Sequence, residues 1–415
     1  MQNIKKFILK LFHFTDLAIV SFHFDHRDRT LHIFVKPYKN GCRCPDCNQR
    51  GKIVQTLKNR QWRDVPFGRW KVILNYAPRE IRCRIHGRVQ EVIPWATINA
   101  RVTYRFEYLM LRYASVMTQK QAAELLRIPA STLAELLHRT IKNLRKGRKI
   151  RGLKRIGIDE ISYRKGHKYI TLVYDLDRSC VVWIGEGKGR ATIDRFFEDN
   201  LSQYQRDKIK IATCDMSQAY LGAIKHHCKN AELVLDRFHV MKALNDHVDK
   251  VRKEEWRKLT DKDERKALKG MRWLLYKHPS NRSKKDTRTI NELRRANRRI
   301  HRAWVLKDEF NQLWEYSSRT WAKKFLRKWC TTAMRSQLEP IKKFVATVRC
   351  HEKEMLNFVG TRVTNATGEG INRVIRMVKN QASGFRNVNN FMDMIYLTVG
   401  DVDLPAQIPQ RFRTI

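Results

Sequence analysis

The chain has 415 residues, enough for two or three domains, and its 42% hydrophobic and 10% aromatic content lets it bury sizeable cores, which excludes a disordered polyelectrolyte. Lysine and arginine number 85 against 41 acids, a formal net charge of +44. Self-repulsion on that scale is relieved beside a polyanion, and double-stranded DNA fits, because phosphate neutralisation supplies most non-specific affinity. The basic residues run along the whole chain among aromatics, which argues against one membrane-surface helix, and no apolar run approaches the roughly 18 residues of a membrane span.

The opening Met1-Gln-Asn-Ile-Lys-Lys-Phe-Ile-Leu-Lys is basic with a few apolar residues, but the apolar stretches are too short for a secretory signal. Residues 1–40 then alternate apolar and polar, as in Leu31-His-Ile-Phe-Val-Lys, and read as strands. Alternation continues over residues 41–95, so 1–98 forms a small β-rich module. Three of the nine cysteines fall between Cys42 and Cys47 and the others are scattered, the pattern of a reducing compartment with a metal site. Cys44-Pro-Asp-Cys47 is a CxxC knuckle, and Cys83-Arg-Ile-His86 repeats the spacing. Together they make a Cys₃His set suited to structural zinc, with Cys42 as a substitute ligand. Such a closed site folds a domain that has too little core of its own. The bland alternative is free cysteines beside an incidental histidine.

Residues 99–150 switch to helical periodicity. In the stretch from Met117 to Arg139, Thr118 can cap one helix and Ser131 a second, Ala122 or Ala123 allows close crossing, and Leu126, Ile128, Leu133 and Leu137 are spaced to pack the pair. The second helix would present Ser131, Thr132, Glu135, His138 and Arg139 to a DNA major groove as a helix-turn-helix. An ordinary helical hairpin shares the apolar spacing.

Residues 151–240 read as three strands, a helix, a strand, a helix and a strand. Asp159 ends or nearly ends the first strand and Asp215 follows the fourth; these two strands are neighbours in a five-stranded ribonuclease H-like sheet. Residues 241–362 are helical, basic and tryptophan-rich, with an exposed loop expected around Pro279–Thr289. Residues 363–415 carry Glu369 after a turn bearing glycine and asparagine. Asp159, Asp215 and Glu369 would offer an all-oxygen ligand set suited to magnesium or manganese, and two such ions can drive in-line phosphoryl transfer. Acids just past strand ends are common, however, and Asp159 could instead cap Ser162 or pair with a lysine. Glu160 would point to the opposite face of an extended strand.

Four blocks go beyond spacing. Gly157-Ile-Asp-Glu-Ile-Ser with Lys165-Gly-His-Lys-Tyr, then Cys214-Asp-Met-Ser-Gln-Ala-Tyr, then Asp236-Arg-Phe-His-Val-Met-Lys, then Thr364-Asn-Ala-Thr-Gly-Glu-Gly-Ile-Asn-Arg-Val-Ile with Ala382-Ser-Gly-Phe-Arg-Asn, follow one another in order. They resemble the blocks of bacterial insertion-sequence DDE transposases of the ISL-three class, whose layout the amino-terminal modules also match. The resemblance covers nearly the whole chain. It implies an α/β plus α fold: a ribonuclease H-like catalytic core split by an all-helical insertion, with an N-terminal β-rich zinc module and a helix-turn-helix. It also implies a magnesium- or manganese-binding triad of Asp159, Asp215 and Glu369, with Asp236 and His239 as active-site neighbours. The implied activity is DNA cleavage and strand transfer at terminal inverted repeats and a target, by a homodimer or larger synaptic complex on the bacterial nucleoid in the cytoplasm. Two departures stand out: His86 occupies a place where cysteine is usual, and Asn380-Gln381 a place where basic residues are expected. The rival reading is a regulator derived from such an enzyme, keeping the zinc and DNA-binding modules without chemistry; it has no need of the acid trio.

Overall fold

The computed structural model describes residues 6, 9, 17–37, 42–97, 99–147, 149–363 and 365–402. Most of the opening decapeptide, Thr364 of the last sequence block and residues 403–415 lie outside the described residues. The chain divides into two compact units, one formed by Met1–Lys146 with Asn380–Thr398 and Val402–Ile415, the other by Gly147–Lys379 with Val399–Asp401. Among the described residues no helix is long and apolar enough to cross a membrane.

The first unit holds seven described strands: β1 (Leu17–Asp25), β2 (Thr30–Pro37), β3 (Lys52–Thr56), β4 (Arg60–Phe67), β5 (Trp70–Tyr76), β6 (Arg79–Cys83) and β7 (Gly87–Gln90). One sheet runs β1-β2-β5-β4, with β2 parallel to β5, and a second runs β3-β6-β7. Alternation decides the inward face. Leu31, Ile33 and Val35 of β2 meet Val72 and Leu74 of β5, all buried. Buried Trp62 packs edge-on against Trp95 at 5.6 Å, and Tyr76 does the same.

Three helices follow: α1 (Tyr104–Val116), α2 (Gln119–Leu126) and α3 (Ala130–Arg145). The hydroxyl of Thr103 accepts the Phe106 N–H to cap α1 and donates to Asp64, a fully buried carboxylate that also pairs with Arg105. Thr118 and Gln121 form a reciprocal capping box on α2. Ala122, Ala123, Leu126, Leu133 and Leu137 are buried between the helices, as their spacing requires. Ser131 does not cap α3. The cap position belongs to Pro129, whose ring holds φ at −61°, and the helix is already under way at Ala130. Ser131 thus lies inside the first turn.

The second unit is built on β8 (Arg155–Arg164), β9 (Lys168–Asp175), β10 (Cys180–Glu186), β11 (Ile211–Cys214) and β12 (Glu232–Leu235), in the order β10-β9-β8-β11-β12. The first three strands form an antiparallel meander, and β11 runs parallel to both β8 and β12. Six consecutive residues of β9 are buried, as in a strand covered on both faces. The crossover helices are α4 (Arg190–Asn200), α5 (Gln203–Asp207) and α6 (Gln218–His227).

Beyond β12 come α7 (Arg237–Lys258), α8 (Lys262–Gly270), α9 (Arg272–Tyr276), α10 (Lys284–Ala296), α11 (Arg298–Phe310), α12 (Arg319–Met334), α13 (Glu339–Cys350) and α14 (Glu352–Thr361). Phe310 is their aromatic hub, with ring centroids 4.7 Å from Trp329 and 5.5 Å from Phe344. Trp314 and Trp329 are buried there, whereas Trp273 and Trp321 are exposed. The loop expected around Pro279–Thr289 is largely ordered helix: a 3₁₀ turn at Pro279–Asn281, then α10, whose N-terminus is closed by a capping box of Ser283 and Asp286. The helical segment returns to the sheet through buried Asn357, whose amide donates to the Leu233 carbonyl of β12 at 2.9 Å. Two further helices, α15 (Ala366–Gln381) and α16 (Val388–Val399), complete the described chain.

Thr118→Ala removes the acceptor for the Gln121 N–H and should cost about 1 kcal/mol, whereas Thr118→Ser should cost much less. Thermal unfolding of the two variants checks this.

Candidate active site

The parallel register of β8 and β11 pairs Arg155 with Ile211, Ile156 with Ala212 and Gly157 with Thr213. Two residues beyond the last pair come Asp159, still within β8, and Asp215, just past the end of β11, near enough for the Asp215 charge to act on Asp159. Asp159 does not end its strand, because β8 continues to Arg164; it is β11 that stops, at Cys214. Glu369 lies in the first turn of α15.

Both Asp159 oxygens are engaged. The Glu160 N–H donates to Oδ1 at 2.7 Å and the Asn372 amide donates to Oδ2 at 2.6 Å. Asn372 is itself held by the hydroxyl of fully buried Tyr174, which donates to its Oδ1 at 2.6 Å. Among the described residues Asp159 therefore neither caps Ser162 nor pairs with a lysine. Asp215 Oδ1 accepts the Ser217 N–H at 2.9 Å. Glu160 accepts from the hydroxyl of Tyr220 on α6.

Asp236 follows β12 directly, and its own N–H donates to the Cys214 carbonyl, beside Asp215. Its Oδ1 caps α7 by accepting the Phe238 N–H at 2.9 Å, and its Oδ2 lies 2.9 Å from Nδ1 of His239. Asn365 also donates to Oδ2, at 3.5 Å. A Cβ added at Gly157 would come within 3.1 Å of Asn365 Oδ1, and one at Gly368 within 2.4 Å. Gly368 thus makes room for Asn365, and Gly157 is crowded by Asn365 together with Leu176 and Thr213.

Burial pushes the Asp159 carboxyl up, and the neighbouring Asp215 charge pushes the same way. Glu369 is raised by burial and by the charges of Asp236 and Asp159. His239 is raised in turn, chiefly by its hydrogen bond to Asp236, then by the charges of Asp236, Asp159 and Asp215. These groups lie close enough to feel one another, but they are not drawn tightly together. Among the described residues, the group of metal-type ligands whose atoms all lie within 4.8 Å is Cys44, Cys47, Cys83 and His86.

In that second cluster, Cys44 Sγ lies 3.5 Å from His86 Nδ1 and Cys47 Sγ lies 3.5 Å from Cys83 Sγ. The backbone N–H groups of His86 and Ile85 hold the Cys83 thiol down to about 6. Cys42 is not part of the group; its N–H is taken by Glu91 and burial pushes its thiol up.

On α3, Ser131 and Glu135 are exposed and Thr132 is half-buried. His138 and Arg139 spend polar atoms internally, His138 on Asp393 at 2.8 Å and Arg139 on Glu107. Asn380-Gln381 ends α15. Sequence reasoning missed Asn365, Asn372 and Tyr174. The spacing Glu369-x-x-Asn372 is one helical turn and is the signal that could have found Asn372. Tyr174 and Asn365 carried no local signal.

Residues 156–395 match the sequence signature of a family described as transposase, of the DDE type named ISL3. Over 374 residues the chain is 29% identical to the transposase for insertion sequence element IS1001 of Bordetella parapertussis, spanning 88% of this chain and 90% of that one. Over 381 residues it is 25% identical to the transposase for insertion sequence element IS1557 of Mycobacterium tuberculosis, spanning 86% and 85%. Among solved structures, the Drosophila P element transposase strand transfer complex aligns over 73% of this chain and 92% of that one, with 11% identity and a TM-score of 0.36.

Asp236→Asn keeps a capping side chain on α7, since asparagine caps as well as aspartate, but removes the charge facing His239. The His239 pKa should fall towards its ordinary value, read by NMR titration of the labelled imidazole. An unchanged value would assign the rise to Asp159 and Asp215 instead.

Proposed function

The chain belongs to the ISL3-type DDE transposase family, and from that premise we propose that it binds the ends of an insertion sequence and catalyses DNA strand cleavage and strand transfer through Asp159, Asp215 and Glu369. The observation that carries this reading is the placement of Asp159 on β8 and of Asp215 just past the end of the adjacent parallel strand β11, with Asn372 tying the helix of Glu369 to Asp159. The sheet order β10-β9-β8-β11-β12, three strands antiparallel and two parallel, supports a ribonuclease H-like core. The helices over 241–362 are then an insertion within it.

The residues fit a divalent cation. Asp159 and Glu369 are raised by burial and by each other's neighbours, and among the described residues no lysine or arginine forms an ion pair with either or with Asp215. Magnesium or manganese bound by these oxygens would activate the attacking oxygen and stabilise the leaving one. The chain's own part is positioning. Tyr174 and Asn372 fix the Asp159 carboxylate, and Asp236 orients His239 through Nδ1 and favours its protonated form beside the anionic phosphate. No protein nucleophile is needed, so water can serve for cleavage and a 3′-hydroxyl for joining.

The Cys44, Cys47, Cys83 and His86 set fits zinc in ligand type and in proximity, with Cys83 poised as a thiolate. Zinc there would fold the small β3-β6-β7 sheet. The pair α2–α3 is read as the DNA-docking element. Ser131, Thr132 and Glu135 are its available contacts, while His138 and Arg139 would have to exchange internal partners to reach DNA. Holding two element ends at once calls for a dimer or larger assembly.

With labelled element ends and Mg²⁺, the wild-type chain should nick and join DNA, and Asp215→Ala should bring both to background while still binding the duplex. Joined product that survives the substitution would overturn the site, and a wild-type chain that binds but neither cuts nor joins would be the regulator instead. Separately, Cys44→Ser should lose stoichiometric zinc by elemental analysis and lower the melting temperature of the protein.

A further inference from the structure

One stretch of the first sequence block, Lys165-Gly-His-Lys-Tyr, is left unused by the carboxylate chemistry. It forms the tip of the β8–β9 hairpin, where Gly166 at φ 84° and His167 at φ 58° turn the chain. The hairpin is an arm, because β11 stops at Cys214 while its parallel neighbour β8 runs on past Asp159 to Arg164. At about 3.3 Å per residue, Arg164 lies about 16 Å beyond Asp159 along the strand. Two neighbours brace the arm. From the end of β10, Glu186 accepts the Tyr163 hydroxyl at 2.8 Å, the Gly187 N–H donates to the Tyr169 carbonyl at 2.8 Å, and the Gly187 carbonyl accepts the Thr171 hydroxyl at 2.8 Å. From α15, Lys379 donates to the Ser162 carbonyl at 2.7 Å, so this helix follows β8 from Asn372 at Asp159 to Lys379 at Ser162.

The charge on this arm is arranged at a cost. Arg164 and Lys168 face each other across the ladder, with Lys165 in the turn between them. Like charges directly opposite on paired strands are destabilising. Lys188 adds a further ammonium 4.2 Å from the Tyr169 ring. All four cations are exposed, and among the described residues none of them forms an ion pair. A chain already at +44 gains no folding stability from such a cluster, whereas a polyanion lying across it removes the repulsion.

We propose that the arm grips the backbone of duplex DNA roughly four to five base pairs from the reacting phosphate, the span of about 16 Å at about 3.4 Å per base pair. The inference rests on the function proposed above, which puts that phosphate at Asp159, Asp215 and Glu369. Cations on long exposed stems, clustered at a tight turn, suit phosphate oxygens and carry no base readout. The duplex held is the element end, its donor flank or the target, and the same phosphate chemistry serves all three. A grip at a fixed distance from the acids sets the direction in which the strand enters the site.

The test uses the full-length chain carrying Asp215→Ala, which keeps strands intact. Its ligands are end duplexes of the element that encodes the chain, either with donor flank or already joined to target DNA. Single phosphates are replaced by neutral methylphosphonates, one position at a time. Replacement roughly four to five base pairs from the cleavage site should weaken binding in one segment, and that segment identifies the duplex held. Combining Arg164→Ala, Lys165→Ala and Lys168→Ala should abolish this sensitivity and leave that at other positions. The slope of log affinity against log salt should also become shallower by about 2 to 3, at about 0.9 per lost phosphate contact. Without DNA the triple variant should melt no lower than its parent, because a like-charge pair is gone. If it does melt lower, Lys168→Ala alone is read in the same way, with a slope change of about 0.9. Sensitivity at those positions that persists in the variant, its absence from all three segments, or an unchanged slope overturns the proposal. A chain retaining Asp215 that binds these duplexes but neither cuts nor joins them counts against the proposed function, and the interference pattern still reads the arm.

Discussion

The second unit depends on one closure: a helix that arrives more than two hundred residues after a central strand has to be seated on that strand within hydrogen-bonding distance. The bond from Asn372 to Asp159 spans 213 residues of sequence. Left as a flexible loop, such a span costs closure entropy, although the cost grows only logarithmically with length. Here the intervening chain is a folded helical body with its own aromatic core, anchored to the sheet through Asn357 and β12. In the folded chain that body holds the two ends near each other. Asn365 then completes the seating, filling the space that Gly157 and Gly368 leave empty and reaching Asp236 with its amide. An alanine at either glycine would press a methyl group into that asparagine, hardest at Gly368.

Electrostatics of the seated site run against the chain as a whole. A molecule of net charge +44 gathers Asp159, Asp215, Asp236, Glu160 and Glu369 around one end of a sheet and gives the three proposed catalytic acids no lysine or arginine ion pair among the described residues. Burial and mutual repulsion raise Asp159, Glu160 and Glu369. Neutralising these acids with arginines would have been the stable solution, since an unpaired buried charge is expensive. The molecule instead supplies neutral donors, Asn372, Asn365 and backbone N–H groups, which orient the oxygens without cancelling their charge. That choice makes sense where a cation is meant to do the cancelling.

Much of this was legible in the residues because the signals are local. Buried strands read as apolar runs, a CxxC knuckle and its Cys83–His86 counterpart declare themselves by spacing, and the acids sit in compact blocks. What was not legible depends on partners far away or on backbone detail. Ser131 is a good capping residue by type, but Pro129 takes the position because its ring presets the dihedral. The polar run after Pro279 reads as a loop by composition, while Ser283 and Asp286 in fact spell a capping box. His138 and Arg139 look free on a helical wheel, yet their partners Asp393 and Glu107 lie 255 and 32 residues away. The parallel pairing of β8 with β11 that brings Asp159 near Asp215 is a property of two strands, which no single segment contains.

The internal partners of His138 and Arg139 also constrain how α3 can work. A side chain already held by a carboxylate reaches a phosphate only by exchange, so its contribution to binding is the difference between two ionic contacts and not the whole of one. The basic partners are half exposed, but Asp393 keeps only 9% of its side chain accessible and Glu107 17%, so an exchange leaves a largely buried carboxylate unpaired and is costly. Among the described residues Ser131, Thr132 and Glu135 have no such competitor. A short hydroxyl pair beside an acid at the start of α3 reads base edges better than it neutralises phosphates, since a hydroxyl can donate or accept while Glu135 can only accept and repels the backbone. If α3 docks on DNA as proposed, sequence discrimination and charge neutralisation would be divided along the helix, with its first turns suited to the former and its later residues, once released by Asp393 and Glu107, suited to the latter.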